Sequence, residues 1–124
     1  MGSMQWGHVQ LQILQVLWRK KKASAREITE TINLTEPIAH STVQTMLRVL
    51  EDKGAVAHEP EGRTFVFFPL IPEADFKQTA TLNLVESVFG GSPSKLVAHL
   101  LDCEGITKKE IEEIRKLIDR HTQR

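Results

Sequence analysis

Residues 39–68 read AHSTVQTMLRVLEDKGAVAHEPEGRTFVFF, and their order decides the fold. From about 39 to 53 the pattern is helical: Val43, Met46, Leu47 and Leu50 share one face, as side chains three and four apart do. Ser41, Gln44, Thr45, Arg48 and Asp52 fall on an opposite arc of roughly 100°. Gly54 stands where a helix ends on a left-handed residue. Beyond it, 55–59 and 64–68 are β-branched or aromatic enough to pair as a hairpin around Pro60-Glu61-Gly62-Arg63. A helix with one polar face followed by a short hairpin is the second half of a winged helix-turn-helix, which lays that helix in a DNA major groove.

The segment before it supplies the first half. Residues 8–20 are amphipathic, with Val9, Ile13, Leu14, Val16, Leu17 and Trp18 on a broad apolar arc opposite His8, Gln12, Gln15 and Arg19. Trp6 is placed to staple the helix entry. Ser24-Ala25-Arg26-Glu27 is a capping box opening a short helix to about Asn33, with Ala25, Ile28 and Ile32 inward. Pro37 disfavours helical geometry at Glu36, so this helix ends before it.

Pro69 and Pro72 bracket the expected domain boundary, giving a winged domain over 5–71 and a helical domain over 72–124. In the second, a helix over 73–89 carries two apolar stripes, Phe76-Ala80-Leu84-Val88 and Leu82-Val85-Phe89. Phe89-Gly90-Gly91-Ser92-Pro93 combines a glycine stop with a serine cap and a proline start. A helix over 93–103 turns Leu96, Val97, Leu100 and Leu101 inward. Thr107-Lys108-Lys109-Glu110 is a second capping box, opening a helix with Ile111, Ile114, Leu117 and Ile118 inward. Two short partners cannot cover the apolar surface of the first helix, so the tail is expected to be a dimerisation arm built on Phe76, Leu84, Val88, Leu96, Leu100, Ile111, Ile114 and Ile118. The fold class is mostly α with a small β-hairpin wing.

Composition narrows the function. Residues 1–71 hold eight Lys/Arg against seven Asp/Glu, and 72–124 hold eight against nine. A nucleic-acid binder usually shows a basic surface, so any basic character here is local. Arg19-Lys20-Lys21-Lys22 is either a phosphate-contacting patch or a solvated loop. No stretch approaches the ~20 apolar residues of a membrane span, and the N-terminus lacks a signal-peptide core. Met1-Gly2-Ser3 has the look of a tag remnant. A lone cysteine, Cys103, suits a reducing compartment, and the expected location is the cytoplasm. That thiol is expected to be buried or half-buried. The five histidines show no metal-ligand spacing, no phosphate-binding glycine loop is present, and no catalytic constellation emerges. Neither enzyme activity nor a cofactor or metal is expected.

The polar face carries the chemistry. Gln44 can bridge adenine N6 and N7, Arg48 can fork onto guanine, and Thr45 can meet a thymine methyl. His40, at the helix start, either bonds a phosphate or caps the helix. Arg63 at the hairpin tip reaches a phosphate or the minor groove, or else is a solvated turn arginine. Lys53 complements the dipole at the helix end. A rival reading, a winged-helix module that uses this helix against a protein, is favoured by the near-zero net charge.

The run Ile13–Trp18, then Ala25–Ile28, then Ser41–Leu47 with Leu50–Gly54, resembles the penicillinase-repressor (BlaI/MecI) family. Glu61-Gly62-Arg63, Pro69-Leu70 and Phe89–Pro93 continue the similarity, which spans essentially residues 6–120. The resemblance implies a homodimeric winged-helix repressor on palindromic operators of resistance genes, with a membrane-bound sensor protease that triggers its cleavage. It implies a groove-facing set of Ser41, Thr42, Gln44, Thr45 and Arg48, with Arg63 as the wing contact. Two departures stand out. The Asn-Phe pair at which staphylococcal members are cut is absent, the corresponding stretch being His99-Leu100-Leu101-Asp102. The C-terminal cysteines of the copper-responsive branch are reduced to Cys103.

Overall fold

The computed structural model describes residues 7–123, so the entry staple expected of Trp6 lies outside the described residues. Six helices and three short strands follow in the order α1 (His8–Lys20), β1 (Ala23–Ser24), α2 (Ala25–Asn33), α3 (His40–Asp52), β2 (Val56–Glu61), β3 (Thr64–Pro69), α4 (Glu73–Val88), α5 (Pro93–Asp102) and α6 (Lys108–Thr122). The chain divides into two compact units, and the division falls inside α4, after Gln78.

In the first unit α1, α2 and α3 enclose Ile13, Leu14, Leu17, Ile28, Val43, Leu47 and Leu50, all essentially inaccessible. Each such side chain removed from water contributes roughly 1.5–3 kcal/mol. The capping box of α2 forms as expected: Glu27 N donates to Ser24 Oγ at 3.1 Å and Ser24 N to Glu27 Oε1 at 2.9 Å. The turn into α3 is held by Asn33, whose side chain accepts from Ile38 N and donates to Ile38 O, both at 3.0 Å. α3 ends in a Schellman motif: Gly54, at φ 79°, donates to Glu51 O, and Ala55 donates to Leu50 O.

The hairpin is tighter than the sequence suggested. Pro60 and Glu61 belong to β2, paired with Phe65 and Thr64, and the loop is Gly62-Arg63 alone. Gly62 takes φ 65° while Arg63 keeps a negative φ, the pattern of a type II′ turn, whose twist matches the strands. Pro60 is tolerated because it sits on an edge strand. The two residues of β1 complete the sheet, in the order β1-β3-β2, by pairing Ala23 with Phe67 and Ser24 with Val66. This strand was not expected, since two residues carry no alternation to read.

The second unit keeps the expected breaks. Gly90 and Gly91 take φ 59° and 82°, and Ser92 Oγ accepts from Lys95 N ahead of Pro93. Thr107 Oγ1 accepts from Glu110 N at 3.1 Å. Burial departs from expectation in α5 and α6, while α4 leaves exposed the apolar surface that its partners were not expected to cover. Leu82, Leu84, Val88, Leu100, Leu101, Leu117 and Ile118 are exposed in this chain, and α5 and α6 contain no buried residue. Their apolar faces exist, but three short helices do not close over them.

Candidate nucleic-acid interface

α3 shows two chemically distinct faces. Val43, Leu47 and Leu50 point into the core, while His40, Ser41, Thr42, Gln44, Thr45 and Arg48 are exposed. Thr45 Oγ1 donates to Ser41 O at 3.0 Å, which fixes its rotamer. His40 is held from α2: its Nδ1 lies 3.1 Å from Thr29 Oγ1, and that hydroxyl donates to Ala25 O at 2.8 Å. The helix end is secured by Lys53, whose Nζ donates to Gln10 Oε1 of α1 at 3.2 Å.

Between α3 and the wing runs a groove of about 610 Å³, lined among others by Arg26, His40, Gln44, Arg48, His58 and Phe65. Its acids are partly engaged. Glu51 Oε1 lies 2.6 Å from His58 Nδ1, and the His58 ring packs against Phe65 and Phe67. Glu61 of the wing pairs with Lys22 at 3.3 Å, tying the basic stretch after α1 to the hairpin. Arg26, Arg48 and Arg63 make no ion pair among the described residues. The net charge of zero therefore conceals a surface where, among the described residues, these guanidinium groups stand outside any ion pair while Glu51 and Glu61 are engaged.

Sequence reasoning placed Ser41, Gln44, Thr45, Arg48 and Asp52 on one arc and His40 at the helix start, and the resemblance added Thr42; all are exposed, and Arg63 lies at the exposed wing tip. It missed Arg26. No local pattern marked it: Arg26 lies three residues before Thr29, on the face of α2 that meets His40 once α2 packs against α3. Gln10, which is buried and also accepts from Gly7 N, was missed because it lies within an otherwise apolar stripe.

In the tail, Leu84, Val88, Leu100 and Ile118 are exposed, and Leu96, Ile111 and Ile114 are half-buried. Phe76 instead packs on the first unit's core, its ring 5.3 Å from Trp18, whose Nε1 donates to Ile71 O. Cys103 is exposed, contrary to the buried or half-buried thiol expected, because it ends α5 in an extended conformation off the helix's apolar face. No group of three His, Cys, Asp or Glu side chains suited to a metal occurs among the described residues. None of their helices is long and apolar enough to cross a membrane.

Comparison with known proteins agrees with this geometry. Residues 6–120 match the family model described as penicillinase repressor. The penicillinase repressor of Bacillus licheniformis is 28% identical over 115 residues, covering 93% of this chain and 90% of the relative. The methicillin resistance regulatory protein MecI of Staphylococcus aureus (strain N315) is 27% identical over 119 residues, with 96% and 93% covered. Among solved structures, the DNA-binding domain of the repressor BlaI superposes with a TM-score of 0.52 at 34% identity, covering 60% of this chain and 90% of that one. The Bacillus licheniformis BlaI monomeric form in complex with the blaP half-operator gives 0.51, with the same identity and coverage. A MarR mutant from E. coli complexed with operator DNA shares the fold, with a TM-score of 0.57 at 15% identity over 93% of this chain and 74% of that one. A capped helix-turn-helix, a hairpin wing with a two-residue turn and a match over nearly the whole length lead to one conclusion: the chain belongs to the penicillinase repressor family.

Proposed function

We propose that this chain is a homodimeric transcriptional repressor that binds inverted-repeat operator DNA through residues 5–71, pairs through residues 72–124, and blocks transcription by covering promoter DNA. One observation carries the reading: α3 exposes an uncharged-to-cationic strip, Ser41, Gln44, Thr45 and Arg48, beside guanidiniums that make no ion pair among the described residues. Gln44 and Arg48 are the base readers, Thr45 offers a methyl to thymine, and Thr42, His40 and Arg63 address the backbone or minor groove. Support for DNA as the partner comes from the BlaI structure in complex with its half-operator.

The exposed leucines and Ile118 of α4–α6 are the surface for a second copy. Twofold pairing sets the two readers about one helical turn, ~34 Å, apart, which calls for a palindromic site. The names of the relatives, penicillinase repressor and methicillin resistance regulatory protein, favour resistance genes as targets.

Titration of the full chain against an in vitro-selected duplex at rising salt tests the reading. Operator affinity falls steeply between 50 and 200 mM salt if backbone contacts contribute. Arg48→Ala costs on the order of 1–3 kcal/mol on the operator and little on random DNA. A salt-insensitive response would instead mark α3 as a protein-docking surface. Equal losses on both duplexes would move Arg48 from base to phosphate.

A further inference from the structure

The tautomer of His40 follows from two hydrogen bonds. Thr29 Oγ1 lies 2.8 Å from Ala25 O and 3.1 Å from His40 Nδ1. A hydroxyl has one hydrogen and a carbonyl has none to give, so the Thr29 hydrogen lies toward Ala25. The contact to His40 must then take its hydrogen from the ring, and Nδ1 is the protonated nitrogen. The neutral ring is left with a bare lone pair at Nε2. A backbone phosphate oxygen also only accepts, so the neutral ring cannot bond to one.

We propose that His40 is a proton-linked contact to the DNA backbone, joining a phosphate only as imidazolium, with Arg26 as the neighbouring cation on α2. This rests on the DNA-binding reading above. Protonation leaves Nδ1–H on Thr29 and adds Nε2–H, which donates to the phosphate oxygen. One proton is taken from solvent per protomer, and no covalent bond changes.

The surrounding charges favour this. The groove that His40 lines also holds Arg26 from α2, Arg48, Glu51 and Asp52 from α3, and His58 from β2. Glu27 and Glu30, the other charged groups on α2, are outside that lining. Glu51 is engaged by His58 at 2.6 Å. Asp52 lies twelve residues along α3, roughly 18 Å from His40 along the helix axis. No carboxylate is therefore paired with His40 among the described residues, and Arg26 lines the same groove.

The test measures affinity for the selected operator, and for a random duplex of equal length, from pH 6 to pH 8 at constant ionic strength in phosphate-free buffer. The full-length wild type loses about tenfold per protomer across this range on both duplexes, because the bond to phosphate requires the imidazolium form. His40→Gln removes that dependence, while His58→Gln keeps it. In parallel, adding operator at pH 7 moves the His40 ring-proton resonance toward its imidazolium position. Undiminished binding with a flat pH profile in the wild type overturns the proton link and leaves the DNA-binding reading standing. A slope that survives in His40→Gln assigns the proton elsewhere and overturns it as well. Failure to bind either duplex at any pH removes both proposals.

Discussion

Residues 7–78 and 79–123 are built from the same kind of amphipathic helix, yet only the first set closes a core. In the winged unit, three helices and the sheet bury Leu17, Ile28, Leu47 and Leu50 completely. In the tail, Val85 is the buried hydrophobic among the described residues, while Val88 and Ile118 remain 64% and 53% exposed. The apolar spacing of α6 is as regular as that of α3. Periodicity therefore identifies the face a helix has to bury, and chain connectivity decides whether anything within the same molecule covers it.

The largest expected effect separates the two regions directly. Leu17→Ala removes a fully enclosed side chain and costs about 2–5 kcal/mol, the same at every protein concentration, because its neighbours belong to its own chain. Leu100→Ala costs under ~0.5 kcal/mol when protomers are dilute, as a surface change does. Its cost grows with concentration once a partner covers the site. Denaturant unfolding of both variants at low and high micromolar concentration measures this. A Leu100→Ala penalty that stays small at all concentrations would take Leu100 out of any pairing surface.

The same contrast explains what could be read in the sequence. α1–α3 were legible from their apolar period, helped by a cap where Ser24 and Glu27 opened α2 and by a stop where Gly54 closed α3. The exposed strip from Ser41 to Arg48 was legible because it is the complement of the buried stripe Val43-Leu47-Leu50. Arg26 was not, since its place in the groove depends on how α2 packs against α3 and the wing rather than on its neighbours in the chain. Neither was the Lys22–Glu61 pair, which joins residues on either side of α2 and α3. Phe76 shows the opposite failure: it fits the apolar stripe of α4, yet Trp18 draws it to the winged unit. In each case a tertiary contact overrode or completed a local pattern that was itself correctly formed.

A second effect, of intermediate size, sharpens the account of the winged unit. Ser24→Ala removes the hydroxyl that caps α2 and costs about 1 kcal/mol. The Ser24 backbone N–H holds the Glu27 carboxyl below its ordinary value, with smaller contributions from the Ser24 hydroxyl and Lys20. Because the folded carboxyl is the stronger acid, its contribution is full above the unfolded-state value and fades as pH falls through the folded one. Glu27→Gln should therefore lower the thermal midpoint slightly at neutral pH and leave it unchanged in strong acid. An equal deficit at both extremes would mean that Glu27 acts by packing rather than by charge.

The smallest effect has the opposite sign. Lys21 is the non-glycine residue with positive φ among the described residues, at 76°, directly after α1 and donating its N–H to Leu17 O. Such a backbone costs a side-chain-bearing residue about 1–2 kcal/mol, and it persists where the surrounding structure fixes it. Here α1 ends two residues before β1 locks onto β3, which leaves Lys21 and Lys22 to reverse the chain. Lys21→Gly relieves the strain but adds freedom to the unfolded chain worth about 0.4–1 kcal/mol. The net expectation is a gain of roughly 0.5–1 kcal/mol in thermal or denaturant unfolding. Operator affinity of the same variant then isolates the lost charge: a more stable protein that binds DNA more weakly makes Lys21 a phosphate contact, and unchanged affinity makes it only the corner that the closed core imposes.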